Sequence, residues 1–245
     1  MKLAVIGDPV AHSASPGLHR RFLAAAAIAG TYEAIRVAAG RGACEIDALR
    51  AAGYTGLNVT TPLKEEAFAR ADERDSAALA AGAVNTLVFV GTRVSGHNTD
   101  GIGAIGALRE AVRGDDLTGA RVLVLGAGPT ARAVIPALVA ERCVVTVWNR
   151  TCAKAEAIAR AFGIRSWEPR DVADAIFYAL PPQAVPTDRA LVATLLETPL
   201  VIDANYGCRS TLGAVLGREV IDGASMLAAG ARASFALFRT VLAER

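Results

Sequence analysis

Arg121-Val122-Leu123-Val124-Leu125-Gly126-Ala127-Gly128-Pro129-Thr130-Ala131 reads as a buried strand running straight into GxGxxA and then a helix. The glycine pattern alone occurs by chance in many loops, and its place between strand and helix gives it meaning. Gly126 permits a tight turn, Gly128 lets the backbone approach a pyrophosphate, and small Ala131 lets the helix pack closely on the strand. The amide groups of Ala127, Thr130 and Ala131 then face an anion at the positive end of the helix. Pro129 suits the first helical turn, where a missing N–H costs nothing. The next strand ends Val147-Trp148-Asn149-Arg150-Thr151, where an NAD site commonly carries Asp or Glu for the adenosine ribose. A carboxylate there repels a 2′-phosphate. The guanidinium of Arg150 grips one, and Lys154 adds a second positive charge, so the pattern predicts NADP in preference to NAD. The plainer reading of Arg150 is a solvated surface residue.

Outward from this stretch, short apolar runs alternate with helical ones on both sides, the pattern of βαβ units and parallel sheets, and the fold class is α/β. Upstream, strands are predicted at 2–6, 31–37, 55–59 and 83–90, with helices at 16–29, 44–52, 62–71 and 74–81. The polar, Gly-bearing cluster Gly96-His97-Asn98-Thr99-Asp100-Gly101 breaks the chain, and the domain junction is placed there. A connecting helix over 101–113 leads into strands at 121–125, 143–148, 175–179 and 199–203, with helices at 129–140 and 153–162. A last helix from about Ser225, apolar at Leu227, Ala231, Phe235, Phe238 and Val241, is expected to return to the first unit. The organisation predicted is therefore one domain of residues 1–100 completed by 223–245, and a Rossmann-type domain of residues 101–222. The reaction site is expected in the cleft between them.

With 26 basic and 24 acidic residues mixed along 245, no cationic face emerges for a nucleic-acid backbone or an anionic membrane, and a small-molecule partner is expected. Cys44, Cys143, Cys152 and Cys208 have neither zinc-site spacing nor the density of a disulfide framework, so no metal is implied and a reducing, cytoplasmic location fits. Met1-Lys2 runs directly into a strand with no signal-peptide pattern, and the Ala-rich stretch from Phe22 to Ala29 is too short to span a bilayer. Monomer and homodimer both remain open.

Three further segments need more than a folding explanation: Gly7-Asp8-Pro9-Val10-Ala11-His12-Ser13-Ala14-Ser15-Pro16, Asn58-Val59-Thr60-Thr61-Pro62-Leu63-Lys64, and Ala83-Val84-Asn85-Thr86 followed by Asn98-Thr99-Asp100-Gly101. Ser13 and Ser15, two apart, present their hydroxyls to one side of an extended loop, where both donate to one carboxylate; equally, Ser15 caps a helix opening at Pro16. Lys64 lies just inside a helix that Thr60 or Thr61 caps and Pro62 opens, its ammonium against the positive end of the dipole.

In this order, and with the nucleotide motif next, the segments resemble the shikimate dehydrogenase family over nearly the whole chain. The resemblance implies an NADP-dependent dehydrogenase acting on a CH–OH group, reversibly reducing 3-dehydroshikimate to shikimate in aromatic amino acid biosynthesis, on the chorismate pathway. It makes Lys64 and Asp100 the catalytic couple that moves the hydroxyl proton. It places Ser13 and Ser15 on the substrate carboxylate, Asn85 and Asp100 on ring hydroxyls, Thr60 in the pocket wall and Tyr206 near the carboxylate. Asn85 reads equally as a buried structural amide, and Tyr206 as a core or interface residue. Asn149, Arg150 and Thr151 become the NADP-selecting strand end, Gly223 meets the nicotinamide amide, and Met226 follows on the pocket side. The family's last helix usually carries a glutamine where this chain has Gly230. That departure leaves two rivals: a paralogue acting on quinate, an amino-shikimate or another cyclic polyol acid, and a non-catalytic NADP-binding or sensing protein.

Overall fold

In the computed structural model, which describes residues 1–243, the chain divides into two compact units: Met1–Asp100 with the segment from Gly230 onward, and Gly101–Ala229. The expected helix to 245 thus includes two residues, 244–245, outside the described ones. The expected division at 222/223 differs from this one because the first turns of the last helix pack with the second unit, where Met226 joins an apolar core.

The first unit runs β1 (Lys2–Gly7), α1 (Ser15–Ala25), β2 (Thr31–Arg36), α2 (Gly42–Ala51), β3 (Gly56–Val59), α3 (Lys64–Arg70), β4 (Glu73–Arg74), α4 (Ser76–Ala81), β5 (Thr86–Val90) and β6 (Arg93–His97). Its six-stranded sheet has the order β2-β1-β3-β5-β6-β4. Strand β1 lies between β2 and β3, and its period-two alternation divides the core. Ala4 and Ile6 face Ile46, Leu49 and Leu63, whereas Leu3 and Val5 face Tyr32, Phe238 and Val241. A parallel sheet was expected, but β5 pairs antiparallel with both β3 and β6. The predicted break at 96–101 is accordingly strand as far as His97. Val90 opposite Arg93 leaves a two-residue turn in which Gly91 supplies a φ of 58°. The signal in 93–97 is weak because only Val94 and Gly96 are buried.

The second unit follows as α5 (Asp100–Val112), β7 (Arg121–Leu125), α6 (Pro129–Ala140), β8 (Val144–Trp148), α7 (Cys152–Phe162), β9 (Arg165–Ser166), β10 (Ala175–Tyr178), α8 (Arg189–Glu197), β11 (Leu200–Asp203), a 3₁₀ turn at Gly207–Arg209, α9 (Leu212–Leu216) and α10 (Ala224–Ala243). All strand pairs in this sheet are parallel, in the order β11-β10-β7-β8-β9. Counted within the unit this is 3-2-1-4-5 from the β9 edge, the Rossmann order, with its topological switch between β7 and β10. Val122 and Val124 pack on Leu108, Val134 and Leu138 on one face, and Leu123 and Leu125 on Ile176, Leu191 and Leu195 on the other. That burial on both faces explains the unbroken apolar run. Helix α8 was missed by periodicity, yet its start is marked: Asp188 accepts from Leu191 N at 2.9 Å. Among the described residues, no helix is long and apolar enough to cross a membrane.

Candidate active site

The register of the first sheet determines which loops meet. Strands β1 and β3 run parallel; β5 begins opposite the end of β3, with Asn58 facing Thr86; and β6 ends beside the same residue, with His97 facing Thr86. One edge of the sheet therefore collects the segments after β1, β3 and β6 and the one before β5. Backbone bonds tie them: Thr60 N to Ile6 O at 2.9 Å, Asp8 N to Thr61 O at 3.0 Å, Asn85 N to His97 O at 3.0 Å and Val84 N to Lys64 O at 2.9 Å. Ser13, Ser15, Thr60, Lys64, Asn85 and Asp100 all lie on these segments.

Lys64 and Asp100, 36 residues apart, meet with Nζ donating to Oδ2 at 2.5 Å, and their side chains are only 13% and 14% exposed. Asp100 Oδ1 accepts from Asn85 Nδ2 at 2.7 Å. Asp100 N donates to Asn98 Oδ1 at 3.0 Å, and buried Asn98 in turn donates to Ala83 O at 2.9 Å. Each carboxylate oxygen thus has a donor, as a largely desolvated charge requires, and the Asp100 backbone is anchored separately through Asn98. Asn85 is itself pinned: the Thr99 amide donates to its Oδ1 at 3.0 Å and Thr86 Oγ1 does so at 2.9 Å, while its Nδ2 also reaches Thr99 Oγ1 at 3.1 Å. Thr99, Thr86 and Asn98 lie inside the motifs quoted above but carried no assigned role. Their signal was their place beside the catalytic candidates.

Helix α3 starts at Lys64 itself, with Leu63 as N-cap, rather than at Pro62 under a threonine cap. Leu63 is fully buried and its N–H turns back to Thr60 O, so residues 60–63 form a turn that ends before the helix. Glu66 accepts from Gly40 N at 2.8 Å and Gly42 N at 2.7 Å, anchoring α3 to the start of α2. Arg70 adds a bond to Asp47 at 2.6 Å. The expected extended loop at Ser13–Ser15 is also corrected: Ala14 has φ −80° and ψ −8°, and α1 opens at Ser15 with no side-chain cap. Ser13 Oγ instead accepts from Ser15 N at 3.3 Å. Side chains two apart share a side only in extended backbone, and Ala14 between them is helical. Thr60 packs its methyl against Gly7, where any side chain would collide with it.

In the second unit, Gly126 has a φ of 125° and lies so near Ala179 O that a Cβ would sit 3.0 Å away. Gly128 is the extended N-cap of α6, and the space its Cβ would occupy is open. Ala127, Pro129 and Thr130 are half-buried around it and Ala131 is buried against the strand. The loop follows β7 at the switch point, where a diphosphate has both access and first-turn amides. Asn149 Nδ2 donates to Thr151 O at 3.1 Å, and Arg150, Thr151 and Lys154 are exposed. Among the described residues, Arg150 and Lys154 have no carboxylate partner.

Tyr206, half-buried, precedes the 3₁₀ turn. A Cβ on Gly223 would come within 2.6 Å of Ala204 O and 3.0 Å of Asp203 O, so close backbone approach already requires glycine there. Met226 is 8% exposed within an apolar core. Buried Asp203 holds Asn205 N at 2.9 Å, Asn205 Nδ2 at 2.7 Å and Ser210 Oγ at 3.0 Å, and its burial pushes the carboxyl up from the usual range. Among the described residues, no cluster of three or more His, Cys, Asp or Glu could hold a metal ion.

A Rossmann-ordered sheet with an open glycine turn at the N-terminus of α6, joined in one chain to a mixed α/β unit carrying a shielded lysine–aspartate pair, places the protein among the two-unit dinucleotide-fold α/β proteins. Residues 5–87 match the shikimate dehydrogenase substrate binding domain, and residues 108–179 match the shikimate / quinate 5-dehydrogenase family. The chain belongs to the shikimate dehydrogenase family. It is 46% identical over 171 residues to shikimate dehydrogenase (NADP(+)) of Acidiphilium cryptum (strain JF-5), a match covering 69% of this chain and 61% of that protein. Shikimate 5-dehydrogenase of Thermus thermophilus, solved in complex with NADP(H) and shikimate, superposes with a TM-score of 0.83 at 33% identity, covering 98% of this chain and 94% of that one. An Ael1 enzyme from Pseudomonas putida superposes with a TM-score of 0.87 at 28% identity over 98% and 93% of the two chains.

Proposed function

We propose that this protein is an NADP-dependent oxidoreductase that reversibly reduces 3-dehydroshikimate to shikimate. The observation that carries the reading is the shielded contact of Lys64 Nζ with Asp100 Oδ2 at 2.5 Å, on the sheet edge that also bears Ser13, Ser15, Thr60 and Asn85. When bound, NADPH supplies the hydride that reduces the ring carbonyl carbon. Lys64 gives a proton to the carbonyl oxygen in that direction and recovers it in the other. Asp100 keeps Nζ aimed by its Oδ2, and Asn85 fixes the other carboxylate oxygen. Ser13 and Ser15 donate to the substrate carboxylate, and Thr60 lines the ring site.

The residues present fit NADP. Gly126 supplies the positive-φ bend, Gly128 leaves the turn open to a pyrophosphate, and the α6 amides face it. Arg150 and Lys154, exposed and free of carboxylates among the described residues, suit a 2′-phosphate, with Asn149 and Thr151 shaping the strand end. Gly223 and Met226 form the segment assigned to the nicotinamide end. The expected setting is the cytoplasm.

A related ring acid is the second reading, and Gly230 favours it. This position inside α10, where the family usually carries glutamine, offers no amide to a ring hydroxyl. Steady-state rates with 3-dehydroshikimate, shikimate, quinate and an amino-shikimate, each with NADP(H) and NAD(H), decide between the readings. Fastest turnover with shikimate and NADP is the expected result. Faster turnover of quinate or the amino analogue establishes the second reading, and no turnover of any ring acid despite NADPH binding overturns both.

A further inference from the structure

Behind the Lys64–Asp100 pair lies a largely buried chain of polar side chains, with only Asn58 half-buried, that has a fixed direction. It begins at Tyr32 on β2, whose hydroxyl donates to Asn58 Oδ1 at 2.7 Å. Asn58 Nδ2 donates to Thr86 Oγ1 at 3.1 Å, and Thr86 Oγ1 donates to Asn85 Oδ1 at 2.9 Å. Asn85 Nδ2 completes the path at Asp100 Oδ1, 2.7 Å away. Thr86 is fully buried, and Asn85 is 8% exposed.

Both amides are oriented by backbone groups whose polarity cannot reverse. The Thr99 N–H can only donate, so Asn85 must turn its oxygen to it and its nitrogen toward Asp100. The carbonyl of Asn85 can only accept, so Asn58 must present its nitrogen, at 3.3 Å, and leave its oxygen for Tyr32. Between these amides stands a single hydroxyl able to accept from one and donate to the other. A methyl in its place leaves the Asn58 nitrogen with a weaker partner and removes one of the bonds that hold the Asn85 oxygen.

We infer that Thr86 is a positioning residue for the catalytic pair: its hydroxyl couples Asn58 to Asn85 and so holds the Asp100 carboxylate in the orientation that aims Lys64. It touches neither the reacting carbon nor the nucleotide, and acts only through Asn85. The inference rests on the dehydrogenase reading for its kinetic consequence and on geometry alone for its structural one.

The test compares Thr86→Val, which keeps the shape and loses the hydroxyl, with Thr86→Ser, which keeps the hydroxyl. With shikimate and NADP, the valine variant is expected to lose about tenfold in kcat with KM for NADP unchanged, and serine to recover to within about twofold of the parent. A structural role alone predicts the reverse ranking, because serine leaves a methyl-sized void and valine does not. A valine variant with kcat within about twofold of the parent, or a serine variant as slow as valine, overturns the inference. Crystal structures of both variants supply the readout independent of turnover. The Asn85 Nδ2 to Asp100 Oδ1 contact of 2.7 Å should lengthen or break in valine and persist in serine. If the parent fails to turn over shikimate, the functional reading falls while these structures still decide the positioning role, and an unmoved Asp100 in the valine variant sinks it.

Discussion

At the scale of single residues, Lys64 is where a change in one atom should matter most. Its Nζ contact with Asp100 is shielded from water, and general acid–base groups commonly contribute ~10²–10⁴-fold to a rate. Lys64→Ala is therefore expected to lower kcat by about that factor with NADPH affinity unchanged, as read by steady-state rates and by quenching of nucleotide fluorescence on titration. A parallel loss of NADPH binding would contradict the division of labour between the two units. Arg150 is the complementary case, exposed and unpaired with any carboxylate among the described residues. Replacing it with aspartate removes a charge-assisted contact worth ~1.5–3 kcal/mol and adds repulsion, so KM for NADP should rise by at least about tenfold while that for NAD stays level or falls. Equal effects on both nucleotides would remove Arg150 from the phosphate site. Both residues were visible in the sequence because each sits at a defined offset from a motif. Thr86 and Glu66 were not, because their roles depend on groups 28 and 24 residues away.

At the scale of elements, α3 shows how the side chain proposed as catalytic, Lys64, is held by its helix. Glu66 accepts two backbone N–H groups from the segment opening α2, and glutamine can present only one comparable oxygen. Glu66→Gln is expected to cost ~1–2 kcal/mol, detectable as a lower urea midpoint, and to reduce kcat modestly by loosening the helix that begins at Lys64. An unchanged midpoint would make the contact a surface ornament. The segment between β11 and α10 makes the same point through packing. Gly223 abuts the carbonyls of Ala204 and Asp203, and neither can move without disturbing β11. Gly223→Ala should cost ~1–3 kcal/mol of stability through overpacking, whether or not nucleotide is present. The family resemblance assigned this glycine to a ligand, whereas its packing requires glycine even without one.

At the scale of the whole molecule, the pH dependence of stability has an identifiable origin. His19 is fully buried among Tyr32, Phe22, Phe235 and Phe238, its ring stacked 4.3 Å from that of Tyr32, and neither ring nitrogen has a hydrogen-bond partner among the described residues. Burial lowers its pKa from 6.5 to about 4. The unfolded chain therefore binds the proton first as pH falls, and the contribution, complete above pH 6.5, is lost progressively down to about pH 4. Asp47 and Asp174, held below the usual carboxylate range chiefly by hydrogen bonds from Arg70 and Arg121, lose their contributions only at lower pH. Asp203 acts in the opposite sense: burial raises its pKa, so the folded state takes up that proton first and stability gains slightly as pH falls through its window. The net expectation is a falling urea midpoint between pH 6.5 and 4, flattened in His19→Phe. A parent curve already flat there would show that the imidazole is solvated.

The sequence by itself determined the elements whose signals are local. The β7 turn into α6, the basic end of β8 and the strand–helix alternation follow from residues within one or two turns of each other, where steric and capping preferences act directly. The tertiary structure decided what depends on distant pairing: the antiparallel turn of β5 and β6 within a sheet expected to be parallel, the start of α3 at Lys64, and the meeting of Lys64 with Asp100 across 36 residues. The reason is physical. Register between strands far apart in the chain follows from which faces are buried together, and that burial exists only once the core of Ile6, Leu57, Leu63 and Leu87 has assembled.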